Sequence, residues 1–256
     1  MKEVEGDQGL FAPAFIFYFS LLTLLSIMLI LAIDTSGKNG GITLYRHHPR
    51  LLHNVTLEGG TYSAQLVPQL EALLKENQLS ARDLEGLAVV NGPGSFTGLR
   101  VGLGAVKGLA EALAIPVATV SALEIVASSG GQGGGRILSA LDAGRREAYV
   151  GDYEYSADAN DQQLHCRAEE LLTWEALASH PEAMMVHILT PDAPLAEFLA
   201  SRGLPVSQIA RPGSERAALL GYPKLKLGRT TPVETLDANY LRRSDAELYS
   251  LPKLQS

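Results

Sequence analysis

Two short stretches place reactive groups at turns. Ala32–Ser36 reads AIDTS: Asp34 ends an apolar run and is followed by the hydroxyls of Thr35 and Ser36. An acid and two hydroxyls at a strand end can hold Mg²⁺ and a terminal phosphate. The same residues also make an ordinary turn, with the aspartate bonded to its own backbone. Val89–Arg100 reads VVNGPGSFTGLR. Gly92, Gly94, Ser95 and Thr97 lie there between an apolar run and an amphipathic one, where free N–H groups and a helix dipole favour an anion. It is not a Walker A loop, because the GK[ST] ending is absent and Lys107 lies well inside the helical pattern. It is not a dinucleotide fingerprint either, since position 97 is Thr where a third glycine is required. A purely structural use is equally open, with glycines for the turn and Ser95 or Thr97 as N-cap.

A third stretch, DAGRREAY, carries Asp142, Arg145, Arg146 and Glu147. It suits either an anion contact or a hairpin with solvated charges. His47, His48, His53, His165, His180 and His187 form no H-x-x-x-H or H-E-x-x-H pair, which leaves a two-histidine helical metal site unsupported. No G-x-S-x-G elbow is present, and no serine or cysteine nucleophile can be assigned. Cys166 is the single cysteine, so there is no intrachain disulfide.

These groups need elements to hold them. Leu29–Ile33 reads as a buried strand, Gly40–Arg46 alternates as a half-buried one, and the intervening SGKN has hairpin chemistry. LLHNVTLEG supplies a third strand. Leu66, Leu70, Leu73 and Leu74 follow helical spacing over Ser63–Glu76, with Pro68 near the first turn. LEGLAVVN is another buried strand. Leu99, Leu103, Val106 and Leu113 then repeat at helical spacing, with Gly102, Gly104 and Gly108 between them. Each glycine costs a helix about 1 kcal/mol relative to alanine, which is borne where another helix or a ligand must come close. Beyond Pro116 come a strand (PVATVS), a short helix (ALEIVASS) and a glycine-rich loop, Ser129–Arg136, that marks a boundary. Two strands flank the DAGRR turn. A helix near Leu171–Ser179, a strand at MMVHILT, a helix over Ala193–Arg202 and a last helix near Glu215–Gly221 follow. The order predicts two α/β lobes that each begin with antiparallel strands. No tandem repeat of solenoid period is visible.

The chain has 256 residues, 46% of them apolar and 19% charged, enough for a real core in one large domain or two small ones. The net charge of −7, with no run of Lys and Arg, disfavours a direct, strong grip on tRNA or DNA. Gln8–Ile33 holds no charged side chain and is long enough to span a bilayer. As a signal peptide it is poor: MKEVEGD before it is net acidic, and no small-residue cleavage site follows. The readings are a start codon placed too far upstream, with a soluble protein beginning at Met28, a membrane anchor, or a functional cytosolic extension. The first is the expectation.

Taken together, ILAIDTS, VVNGPGSFTGLRVGLGAVKGLA, PVATVSAL, ALDAGRREAYV and ANYLR resemble the bacterial TsaB (YeaZ) family, from Met28 to about Arg242. The glycine loop is the most specific part, and Tyr155–Arg229 matches only in general pattern. The resemblance implies an α/β, actin-like (sugar-kinase/heat-shock type) two-lobed fold with mixed β-sheets. Residues 28–122 would form the first lobe, 123–215 the second, and 216–256 a segment returning to the first, behind the extension 1–27. It implies a cytoplasmic, non-catalytic subunit that binds and activates TsaD in forming threonylcarbamoyladenosine in tRNA next to the anticodon. TsaE would join a ternary complex, tRNA would be met only indirectly, and a homodimer would use the same surface as TsaD. No membrane is expected unless the extension is real. TsaD holds a metal through two histidines; SALEIVA, the corresponding stretch here, has none, so metal-dependent transfer is not carried over. The implied contact surface is the helix pair flanking the loop, with Leu66, Leu70, Leu73, Gly102, Leu103, Gly104, Val106 and Gly108. No cofactor is required; weak ATP or ADP with Mg²⁺ would sit at Asp34, Thr35, Ser36, Gly92, Gly94, Ser95 and Thr97. The alternative is an ATPase or small-molecule kinase of the same fold using Asp34 and the glycine loop, with Asp142 as the second lobe's contribution. Two departures from the family pattern stand out: Tyr62-Ser63 replaces His-Ser or His-Thr, and Gly144 stands where D-A-R is common.

Overall fold

The computed structural model of the chain describes residues 28–48, 50–58, 60–130, 135–156 and 164–241. The extension 1–27 and the tail after 241 lie outside the described residues.

The first sheet is built from β1 (Leu29–Asp34), β2 (Asn39–Arg46), β3 (Leu51–Glu58), β4 (Gly86–Gly92) and β5 (Val117–Ser121), in the order β3-β2-β1-β4-β5. β1 to β3 are antiparallel, and β4 and β5 run parallel to β1. Helix α1 (Tyr62–Glu76) connects β3 to β4, and α2 (Phe96–Leu113) connects β4 to β5. A short helix, α3 (Ala122–Ala127), follows β5.

The second sheet repeats this plan. Its strands are β6 (Arg136–Gly144), β7 (Glu147–Tyr155), β8 (Leu164–Thr173), β9 (His187–Thr190) and β10 (Val206–Gln208), in the order β10-β9-β6-β7-β8. Helices α4 (Trp174–Ala178), α5 (Ala193–Ser201) and α6 (Ser214–Lys226) occupy the places of α1, α2 and α3. The duplication is one of topology and leaves no repeat in the sequence. The result is the two-lobed α/β architecture with mixed sheets that an actin-like fold requires.

Burial explains the layering. β1 is buried along its whole length because it is covered on both faces. Leu29, Leu31 and Ile33 face a core under α1 and α2, whereas Ile30 and Ala32 face a central core shared with α3, α6 and the second sheet. The last helix of each lobe crosses over: α3 packs on β6 and β7, and α6 packs on β1, β2, β4 and β5. Gly221 lets α6 lie close on the sheet, because a Cβ there would overlap that of Ala88. A third core, with Trp174, Leu177, Leu195 and Leu199, lies between the second sheet and α4 and α5. Among the described residues no helix is long and apolar enough to cross a membrane.

Four local expectations change. The helix near Leu171–Ser179 shrinks to Trp174–Ala178, because Leu164–Thr173 pairs with β7 along its length and Thr173 then caps the short helix. EELL favours a helix by propensity, and the pairing overrides it. The strand expected at MMVHILT keeps only His187–Thr190, and Met184 and Met185 lie exposed before it. The last helix runs five residues further than Gly221, to Lys226, through Pro223. Pro68 is not in the first turn of α1 but is its seventh residue, on the exposed side. There the carbonyl it leaves without a helical partner, that of Ala64, is on an exposed residue as well.

Candidate functional site

The turn after β1 and the glycine loop after β4 lie at the C-terminal ends of neighbouring parallel strands, where such sheets place their ligands. They are packed onto each other. The Ser95 N–H donates to the Ser36 carbonyl at 2.7 Å, and the Thr35 hydroxyl donates to the Gly98 carbonyl at 2.8 Å. Glycines make the approach possible. A Cβ on Gly94 would overlap the backbone of Ser36, one on Gly98 the Thr35 carbonyl, and one on Gly102 the Thr35 hydroxyl. Ser95 is the N-cap of α2, its Oγ accepting the Gly98 N–H at 3.2 Å. Thr97 is exposed on the first turn.

Asp34 is buried. Its Oδ1 accepts both the N–H and the hydroxyl of Ser36, at 2.8 and 2.7 Å. Burial raises its pKa above the ordinary carboxylate value, against the opposing pull of the Ser36 bonds and of Arg211. Tyr62, where the family often has histidine, donates its hydroxyl to the Gly37 carbonyl at 2.7 Å and so ties α1 to the same turn. Its phenol is pushed up to about 12 by burial, with Asp34 adding to the shift.

These elements form one wall of a cleft of about 1310 Å³ between the lobes. The opposite wall is the β6–β7 turn, Leu141–Arg145, with Asp192 and Arg211. Asp142 accepts the Gly144 N–H at 3.0 Å and donates its own N–H to Asp192 at 2.8 Å. Arg211 binds the other oxygen of Asp192 at 2.6 Å. Both carboxylates of this wall are therefore engaged within their own lobe. Arg145 and Arg146, with φ of 55° and 58°, form the two-residue tip of the turn after Gly144, which pairs with Glu147. Arg145 lines the cleft, whereas Arg146 points to the outer side, where it pairs with Glu175 at 2.6 Å over the rings of Trp174 and Phe198. Among the described residues there is no group of three or more His, Cys, Asp or Glu that could hold a metal ion.

The C-terminal strap closes the rim. The Asn239 N–H donates to the Asn91 carbonyl at 2.7 Å, and Gly92, with φ of 125°, has room for the Asn239 carbonyl only because it lacks a Cβ. Tyr240 lies 4.8 Å from the Phe96 ring, and its hydroxyl accepts the Arg100 Nε–H at 3.4 Å.

The structure thus brings Asp34, Thr35, Ser36, Gly92, Gly94, Ser95 and Thr97 to one turn-and-loop contact, in which Asp34, Ser36 and Ser95 are bonded in series and Thr35 is bonded to Gly98. It separates the residues expected on the helix-pair surface. Leu66, Leu70, Leu73, Leu103 and Val106 are buried in the chain's own core, and Gly102 is spent on Thr35, so none of them presents a side chain to a partner. Gly104 and Gly108 are exposed, with nothing within 4 Å of a Cβ built on either. Val67, 64% exposed, and Ala64 and Pro68 lie on the outer side of α1. Asp192 and Arg211 carried no recognisable spacing. Asn239 and Tyr240 did stand in a segment that resembles the family, ANYLR, and Tyr62 stood at a departure from its pattern.

The family model described as TsaD, tRNA N6-adenosine threonylcarbamoyltransferase, matches residues 58–193. The tRNA threonylcarbamoyladenosine biosynthesis protein TsaB of Bacillus subtilis is 31% identical over 86% of this chain and 96% of its own length. The Escherichia coli protein of the same name is 28% identical, with 86% of this chain and 96% of that protein covered. The structure of YeaZ from Pseudomonas aeruginosa superposes with a TM-score of 0.68 at 27% identity, over 84% of this chain and 100% of that one. With relatives matched nearly end to end and the same fold beneath them, the chain belongs to the TsaB (YeaZ) family of tRNA threonylcarbamoyladenosine biosynthesis proteins.

Proposed function

We propose that this protein is a non-catalytic subunit that binds and activates TsaD in forming threonylcarbamoyladenosine next to the anticodon. The observation that carries this reading is the docking of the glycine loop on the β1–β2 turn. The Ser95 N–H, the Thr35 hydroxyl and two lone-pair positions of Asp34 Oδ1 are consumed inside the protein. What the loop delivers is the direction of α2. The outer side of α2 then offers Gly104 and Gly108, where another helix can lie closely, and the outer side of α1 offers Ala64, Val67 and Pro68. In the absence of TsaD a second copy uses the same face, and TsaE joins the pair with TsaD. tRNA meets this subunit only indirectly, in keeping with its acidic balance. The setting is the cytoplasm.

The test is reconstitution of tRNA threonylcarbamoylation with the cognate TsaD and TsaE, with and without this chain begun at Met28. Modification that depends on the chain is expected. The absence of any complex with TsaD ends the proposal.

A second reading, weak ATP or ADP binding with Mg²⁺ and no required cofactor, draws on the size of the cleft and on Lys38, Arg145 and Arg211 in its lining. Calorimetric titration with ADP and Mg²⁺ tests it: a heat that is lost in Arg211→Ala supports the cleft as the site, and no heat in the parent protein removes the reading.

A further inference from the structure

Glu169, on β8 of the second lobe, is bonded on both of its oxygens. Oε1 accepts the hydroxyls of Ser121, at the end of β5, and of Tyr153, on β7. Oε2 accepts the Asn239 side-chain N–H at 2.8 Å. Tyr153 is 1% exposed, and burial beside this carboxylate pushes its phenol far above the ordinary value. Asn239 is the other half of the connection. Its backbone N–H holds Asn91 and its carbonyl fills the space left by Gly92, so it grips the root of the glycine loop. The next residue, Tyr240, touches Phe96 and Arg100 on the first turns of α2. Leu236, fully buried in the core under α2, anchors the strap on the other side.

We infer that Glu169 is a positioning residue: from the second lobe it clamps the C-terminal strap through Asn239, and the strap fixes the glycine loop and the direction of α2. The charge on the acceptor and the distribution of its partners make this more than a local contact. One carboxylate joins β5, β7, β8 and the strap, so a shift between the lobes is transmitted to the root of α2. The consequence for TsaD rests on the proposed function; the clamp itself does not.

Hydrogen exchange of the full chain separates the two. In Glu169→Gln and in Asn239→Ala, exchange of the peptide covering residues 88–100 rises about ten-fold, the loss expected for one hydrogen bond to a charged acceptor, while β1 and β6 keep their protection. Tyr153→Phe removes a donor from Oε1 and leaves the strap bond, so the loop stays as in the parent protein. The double variant Glu169→Gln/Asn239→Ala exchanges no faster than Asn239→Ala alone, since without the Asn239 amide the charge at position 169 no longer acts on the strap. Unchanged loop exchange in both single variants overturns the inference. So does a rise spread equally over β1 and β6, or additive effects in the double variant. In a binding measurement Glu169→Gln weakens the complex with TsaD about ten-fold. Equal affinity of variant and parent overturns the positioning role. If the parent itself binds no TsaD, the proposed function falls and the exchange result decides the clamp.

Discussion

The four glycines of α2 divide into two pairs for which alanine has opposite consequences. Gly104 and Gly108 sit in the helix interior with open space where a Cβ would go. Alanine there loses no contact and removes the entropic penalty of glycine, so each substitution stabilises the free protein by about 0.5–1 kcal/mol. For a chain of this size that is a rise in Tm of about 2–4 °C per kcal/mol. Gly98 and Gly102 face the β1–β2 turn. At Gly98 the new methyl meets the Thr35 carbonyl, which is main chain and cannot swing away. Overpacking of this kind costs about 1–3 kcal/mol, and the helix gain in the first turn is too small to cancel it. At Gly102 the obstacle is the Thr35 side chain, which turns aside only by giving up its 2.8 Å bond to the Gly98 carbonyl. A net loss of about 1–2 kcal/mol follows. Urea unfolding of the four single variants reads these signs directly. Affinity for TsaD then separates stability from function. Gly104→Ala and Gly108→Ala bind about ten-fold more weakly although they are more stable, because a methyl holds the partner helix away. If the two open glycines destabilise when replaced, the packing argument is wrong. If they stabilise and TsaD binds as before, the partner face lies elsewhere.

Leu73→Ala, at a fully buried position, costs about 2–5 kcal/mol, yet the folded fraction binds TsaD as tightly as the parent; weaker binding at full folding restores Leu73 to the interface. Tyr62→Phe removes the bond to the Gly37 carbonyl and costs about 1 kcal/mol at neutral pH. Because the folded phenol titrates near 12 and the unfolded one near its usual 10, the parent loses stability as pH rises through that window, and the phenylalanine variant does not. For Asp34 the folded value is raised, so the native state binds more protons than the unfolded state above the ordinary value of 3.8. Stability therefore falls as pH rises through the interval between the two values and is regained on acidification. Asp34→Asn keeps an acceptor for Ser36, flattens that slope and is at least as stable at neutral pH; a steeper slope in the variant refutes the assignment.

Much of the fold was legible because its signals are local. β1 announced itself as a run buried on both faces, α1 and α2 by their leucine spacing, and the hairpins by their turn residues. The strand Leu164–Thr173 was missed for the opposite reason. It lies at the sheet edge with much of its length exposed, so its state comes from pairing with β7 rather than from its composition. The site was legible only as an inventory. Asp34, Thr35, Ser36 and the loop glycines are visible by type, but Asp192 and Arg211 face them across the cleft, and Asn239, held by Glu169, grips the root of the loop, all from distant parts of the chain, and no spacing encodes such meetings.

By itself the sequence determined the class of fold, the acidic balance, the absence of a Walker lysine and of a paired-histidine motif, and the family. The tertiary structure alone decided what VVNGPGSFTGLR touches. Whether its N–H groups face a ligand or the chain depends on how closely the β1–β2 turn approaches, and that distance is set by three glycines, a threonine and a strap from the far end of the chain. The same holds for the leucines of the helix pair: helical spacing defines a common face, and only packing says whether that face looks into the core or out at a partner.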